Sequence, residues 1–187
     1  MRMDDSEYNQ LALESFLEDE ERSRNDRLDR FIELNKLFGP QGDMLLQGGY
    51  QSLFALHEAG NSYVNGKYMA VILLSQAFIE HSLSGQFILA GEYAIAESGF
   101  KRIIDKALTF EFIDNELYAE LDELRKLRNP YVHAKVGLKA GSLMKRFIKE
   151  QHFDAEQMAK LDAVRSLEIL KKFKDASVSM WFYEDEA

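Results

Sequence analysis

A chain of 187 residues, 46% hydrophobic and 29% charged, suits one folded soluble domain, and two prolines with 11 glycines leave little material for linkers. The absence of cysteine excludes disulfide scaffolds, thiolate zinc sites and cysteine nucleophiles. A net charge of −9 argues against a surface that coats DNA or RNA, because phosphate contacts need clustered Lys and Arg, and leaves room only for a local basic pocket.

No apolar run approaches the roughly 18 residues that span a bilayer, and the opening Met-Arg-Met-Asp-Asp-Ser-Glu is too acidic for a signal peptide. The expected location is the cytoplasm, with no membrane association.

Residues 4–38 begin with Asp4, Asp5 and Ser6, all good N-caps, and then show helical apolar spacing interrupted by a polar stretch from Glu18 to Arg27. The reading is one long helix, or two joined near Ser23-Arg24-Asn25. Its polar middle is a solvated face or an arm that packs on a partner. Gly39-Pro40-Gln41-Gly42 breaks the pattern. Residues 43–64 follow as a helix whose first part Gly48-Gly49 weakens, so that it starts late or bends, or that uses those glycines for close contact. Residues 67–90 are apolar on nearly every face, which predicts a central helix or an interface. Glu80 borders this apolar stretch, where a carboxylate needs a cationic partner.

Residues 92–109 read as one further helix, and Asp114 caps the next, 115–127, with Leu117, Leu121, Leu124 and Leu127 at 3–4 spacing. Asn129-Pro130 then predicts a break. The residue before proline avoids the α region, and proline favours the first helical position, so Asn129 becomes an N-cap and Pro130 starts a new helix. That helix fades at Gly137–Gly141. A short basic helix covers 142–152. A long one covers 155–176, with Met158, Leu161, Val164, Leu167, Leu170 and Phe173 inward. The tail 177–187 joins Trp181, Phe182 and Tyr183 to a terminal acidic run, and docks on its own domain or on a partner.

No strand and no internal repeat is expected. The chain reads as an all-α bundle of about five to seven helices. It divides into an N-terminal helical segment (1–38), a helical domain (43–176) and the tail (177–187). P-loop, dinucleotide, zincin and serine-hydrolase motifs are missing, so no cofactor and no metal is expected.

The chemistry-bearing stretch is Leu124-x-x-Leu127-Arg128-Asn129-Pro130-Tyr131-Val132-His133. On a straight helix, residues five apart point about 140° from each other. A break at Asn129-Pro130 would turn Arg128 and His133 toward one pocket beside a helix N-terminus, which favours phosphate. Arginine grips phosphate oxygens with a permanently charged planar fork, and histidine moves protons near neutral pH. Read bland, the same residues are a helix end, a cap and a structural histidine.

Arg128-Asn129-x-x-x-His133 resembles the Arg-x4–6-His signature of the HEPN superfamily, in which a polar residue, often Asn, follows the arginine. The context from Gly66 to Glu80 is similar in style to the upstream helix of that family, and the resemblance covers about residues 45–175. It implies a helical bundle that often dimerises, with two Arg-His motifs in one cleft. Many members are metal-independent endoribonucleases, some of them toxins or defence components. Others are non-catalytic nucleotide- or protein-binding modules. A toxin subgroup extends the motif to Arg-x4-His-x-Tyr, and Lys135 stands at that tyrosine position here.

The resemblance makes Arg128, His133 and Asn129 the catalytic candidates, with Arg128 on the phosphate, His133 on the 2′-hydroxyl proton and Asn129 orienting either. Glu80, Lys126 and Lys135 are supporting candidates, the glutamate to hold Arg128 and the lysines to add local positive charge. The expected function is RNA cleavage without metal by a homodimer, and the alternative is a non-catalytic nucleotide- or protein-binding module. A protein partner would engage the N-terminal helix or the tail.

Overall fold

The computed structural model describes residues 4–39, 43–44, 48–133, 137–149, 154–176 and 181–182. Among these the protein is all-α, with eight helices: α1 Asp5–Phe38, α2 Gly49–Val64, α3 Tyr68–Leu89, α4 Tyr93–Ala96, α5 Phe100–Thr109, α6 Asn115–Val132, α7 Leu143–Lys149 and α8 Ala155–Ala176. The one departure from helix is a minimal antiparallel pairing of β1 (Asp43–Met44) with β2 (Trp181–Phe182), which the sequence did not suggest.

α1 runs unbroken through Ser23-Arg24-Asn25. The Asp4 carboxylate caps it by accepting from the N–H groups of Ser6 and Glu7 at 2.7 and 2.9 Å. No residue of α1 is buried, and every side chain from Asp5 to Arg22 is exposed. Attachment to the bundle is confined to the other end. Arg30 Nε donates to the Val64 carbonyl at 2.9 Å, Tyr63 Oη donates to Glu33 Oε2 at 2.7 Å, and Leu34, Leu37 and Phe38 pack on the core. Burial, then the Glu33 carboxylate, push the Tyr63 phenol above its usual range.

α3 is the central helix, packed against α2, α4, α5, α6 and α8. Its apolar character on all sides is explained by that position: Val71, Ile72, Ile79, Leu83 and Phe87 are all fully buried. α2 starts at Gly49, the late start that the Gly48-Gly49 pair led one to expect. Gly48 is required there, since a Cβ would lie 2.7 Å from the His81 carbonyl carbon of α3. The single helix expected over 92–109 is two, because the chain turns at Ser98-Gly99 between α4 and α5.

α8 closes the bundle. Phe173 meets Phe78 edge-on with ring centroids 6.1 Å apart. Leu161, expected to point inward, is 53% exposed, and Ile169 is buried instead. Arg165 staples α8 to α6 by bonds to Glu120 at 2.6 Å and Glu123 at 2.8 Å, and Lys172 also reaches Glu120. No helix among the described residues is long and apolar enough to cross a membrane.

Candidate functional site

The site is built on the C-terminal end of α6. Asp114 caps the start of the helix by accepting from Leu117 N–H at 2.8 Å, and Leu117, Leu121 and Leu124 bury one stripe. That stripe continues, at the same 3–4 spacing, through Arg128 and Tyr131.

The expected break does not occur. α6 passes through Asn129 and carries Pro130 inside its last turn, ending at Val132. Pro130 forfeits one helical hydrogen bond and crowds the carbonyl four residues back, a cost of about 3 kcal/mol in a helix interior. Tertiary contacts outweigh it. Leu127 and Tyr131 pack on the cluster formed by Tyr63, Tyr68, Val71, Ile72, Ala163 and Leu167. The Tyr131 hydroxyl donates to Asp162 at 2.7 Å. Beyond the proline, His133 N–H still bonds the Asn129 carbonyl at 2.9 Å.

The motif therefore lies at a helix C-terminus, where carbonyl oxygens point outward, and not at an N-terminus that would attract phosphate. Asn129 is a helical residue rather than a cap. His133 occupies the C-cap position with extended backbone, φ −110° and ψ 109°, so its side chain leaves the helical register that governs Arg128. Arg128 and Asn129 are half-buried, and His133 is exposed. Among the described residues none of these three side chains makes a hydrogen bond or ion pair with another.

The supporting candidates separate. Glu80 is half-buried on α3 and accepts from Gln76 Nε2 at 3.2 Å, with no ion pair to Arg128. The Gln76 oxygen and the neighbouring Ser75 hydroxyl are buried with no partner. Lys126 is bound to Asp122 at 2.6 Å, as is Arg125 at 2.8 Å. Lys135 lies outside the described residues.

A node that the sequence did not reveal organises this end. The Asp162 carboxylate, its side chain only 4% exposed, is held by both terminal nitrogens of Arg146, each at 2.6 Å, as well as by Tyr131. Two parallel N–H···O bonds from a guanidinium fork are the strong form of this pairing. The node joins α6, α7 and α8. It carries α7, with exposed Lys145 and Lys149, to the same end of the bundle as Arg128 and His133. No local pattern pointed to it, since Tyr131, Arg146 and Asp162 lie far apart in sequence.

The charges left over are informative. Among the described half-buried arginines, Arg27, Arg30, Arg125, Arg146 and Arg165 each bond a carboxylate or a carbonyl. Arg128 does not. No cluster of three or more metal-ligating side chains occurs among the described residues. Comparisons of the chain with protein-family models, with curated protein sequences and with solved structures each return no match.

Proposed function

We propose that the α6–α7 end binds single-stranded RNA and cleaves it, as an endoribonuclease of HEPN type acting without a metal ion. The observation that carries the reading is Arg128, a half-buried guanidinium with no carboxylate committed to it among the described residues, five residues before an exposed histidine. A desolvated arginine with unused donors is suited to phosphate oxygens. Lys145 and Lys149 add positive charge along the path a polynucleotide would take.

In this mechanism His133 accepts the proton of a 2′-hydroxyl. The freed oxygen attacks the adjacent phosphorus while Arg128 neutralises the charge that grows on the non-bridging oxygens. The 5′-oxygen leaves and receives the proton from the imidazolium, giving a 2′,3′-cyclic phosphate and a 5′-hydroxyl. Asn129 is a helical residue rather than a cap, and in this reading its amide donates to phosphate. The family resemblance adds the expectation of a homodimer in which two such ends share a cleft.

One observation favours a second reading, a non-catalytic RNA- or nucleotide-binding module: nothing among the described residues orients the His133 ring. A single experiment separates the two. Total RNA is incubated in EDTA with wild type, Arg128→Ala and His133→Ala. The catalytic reading expects cleavage that falls at least about 100-fold in His133→Ala, the lower range for losing a general base. RNA binding without cleavage selects the second reading, and cleavage that survives both changes removes the site from α6 altogether.

A further inference from the structure

The outer face of α1 carries a seam that nothing in the bundle covers. Glu14, Leu17, Glu21, Arg24, Leu28 and Phe31 follow one another at alternating steps of three and four residues, the spacing of a coiled-coil stripe. All six are exposed, with Leu17, Leu28 and Phe31 at 56%, 54% and 53%. The bundle uses a different face of the same helix, the one carrying Arg30, Leu34 and Leu37.

The charges along α1 are segregated about its middle. Glu14, Glu18, Asp19, Glu20 and Glu21 precede it with no intervening base, and residues 22–30 carry Arg22, Arg24, Arg27 and Arg30 against Asp26 and Asp29, a net excess of positive charge. A parallel neighbour of the same sequence would set acid against acid. An antiparallel neighbour would set the acidic half of each helix against the basic half of the other.

We propose that the outer face of α1 is a homodimerisation surface on which a second copy of this chain packs its own α1 antiparallel. The register follows from the seam. Leu17 faces the partner's Leu28, and Glu21 faces the partner's Arg24, each contact occurring twice about the two-fold axis. On one flank Glu20 meets the partner's Arg27, and on the other Leu11 meets the partner's Ile32. The same register sets Glu14 against the partner's Phe31, but shifting either helix by a heptad loses both the leucine pair and the Glu21–Arg24 pair and puts a leucine against a charge, so this register is favoured. Within one chain these charges are already paired locally, Arg24 with Glu21 and Arg27 with Glu20, both at 2.8 Å. The antiparallel neighbour turns each pair into a four-membered network. The exposed leucines supply the apolar contact, and the charges set direction and register.

This inference is independent of the ribonuclease reading, because none of its residues belongs to the α6–α7 end. The test is sedimentation of the full chain at about 0.15 M salt, where charges beyond about 8 Å are screened. Wild type is expected to dimerise, Arg24→Glu to weaken the dimer at least about tenfold by opposing two glutamates, and Glu21→Arg with Arg24→Glu to restore it. The chain has no cysteine, so introduced thiols report the geometry. A mixture of Leu17→Cys and Leu28→Cys proteins should form the 17–28 disulfide on mild oxidation. A monomeric wild type at about 100 μM, a dimer unmoved by Arg24→Glu, or crosslinks only between like positions would each overturn the proposal. Helical circular dichroism confirms that each variant is folded.

Discussion

Tyr131 donates its hydroxyl to Asp162 at 2.7 Å, pinning the last turn of α6 to a buried carboxylate of α8 that Arg146 of α7 also grips with both nitrogens. Tyr131→Phe removes one bond to a charged acceptor and is expected to cost about 1.5–3 kcal/mol in urea denaturation. Asp162→Ala also removes the two-nitrogen grip of Arg146, and is expected to cost more, about 3–5 kcal/mol. Equal effects of the two changes would show that Arg146 contributes nothing to the node.

Pro130 lies inside α6 and not at the start of a new helix. Pro130→Ala regains a backbone donor and relieves crowding on the Lys126 carbonyl. The expected outcome is a more stable protein, by up to about 3 kcal/mol, with helical circular dichroism unchanged or slightly increased. A destabilised variant would mean that the proline is a helix start after all.

Two leucines of α8 divide on burial. Leu167 is 2% exposed and Leu161 is 53% exposed. Leu167→Ala is expected to cost about 2–5 kcal/mol, and Leu161→Ala to stay within about 0.5 kcal/mol, both read as shifts of the urea midpoint at constant slope.

Acid should loosen the α6–α8 contact and the α5–α6 contact in which Tyr118 Oη donates to Asp105 at 2.8 Å. The Arg165 hydrogen bond holds the Glu123 carboxyl below its ordinary 4.5, and Lys101 holds that of Asp105 below its ordinary 3.8. Both groups are more acidic folded than unfolded, so the unfolded chain binds more protons in this range. Their contribution is complete above those ordinary values and is lost as pH falls through the lower folded ones. Arg165→Ala should flatten the acid limb of a plot of urea midpoint against pH.

If Arg128 contacts a phosphate, Arg128→Gln should weaken RNA binding. The slope of log K against log salt should become shallower by about 0.7, the value for one contact on a single strand. An unchanged slope would place Arg128 off the polymer.

The helices with strong local signals were legible in the sequence. Asp114 before Leu117, Leu121 and Leu124 announced α6, and the apolar run from Val71 to Leu74 announced a central α3. What misled was local chemistry overruled at a distance. Asn129-Pro130 signals a break, but Tyr131 docking on Asp162 and on the Tyr63–Leu167 cluster keeps the chain helical. Ser98-Gly99 was read as part of one helix, although Gly99 has extended backbone there. At the site, Arg128 and His133 could be picked out by spacing and residue type. The Tyr131–Arg146–Asp162 node could not, since no periodicity links positions on three separate helices.

α1 is synthesised before either of the helices that hold it. Its anchors are Tyr63 and Val64 of α2 and, at Phe38, the Lys174 ammonium of α8, which lies 5.4 Å above the ring. A ribosome therefore releases a helix of about 50 Å, at about 1.5 Å per residue, well before the α8 part of its docking surface exists. Its own i,i+3 ion pairs, such as Arg22 with Asp19, must keep it soluble through that interval.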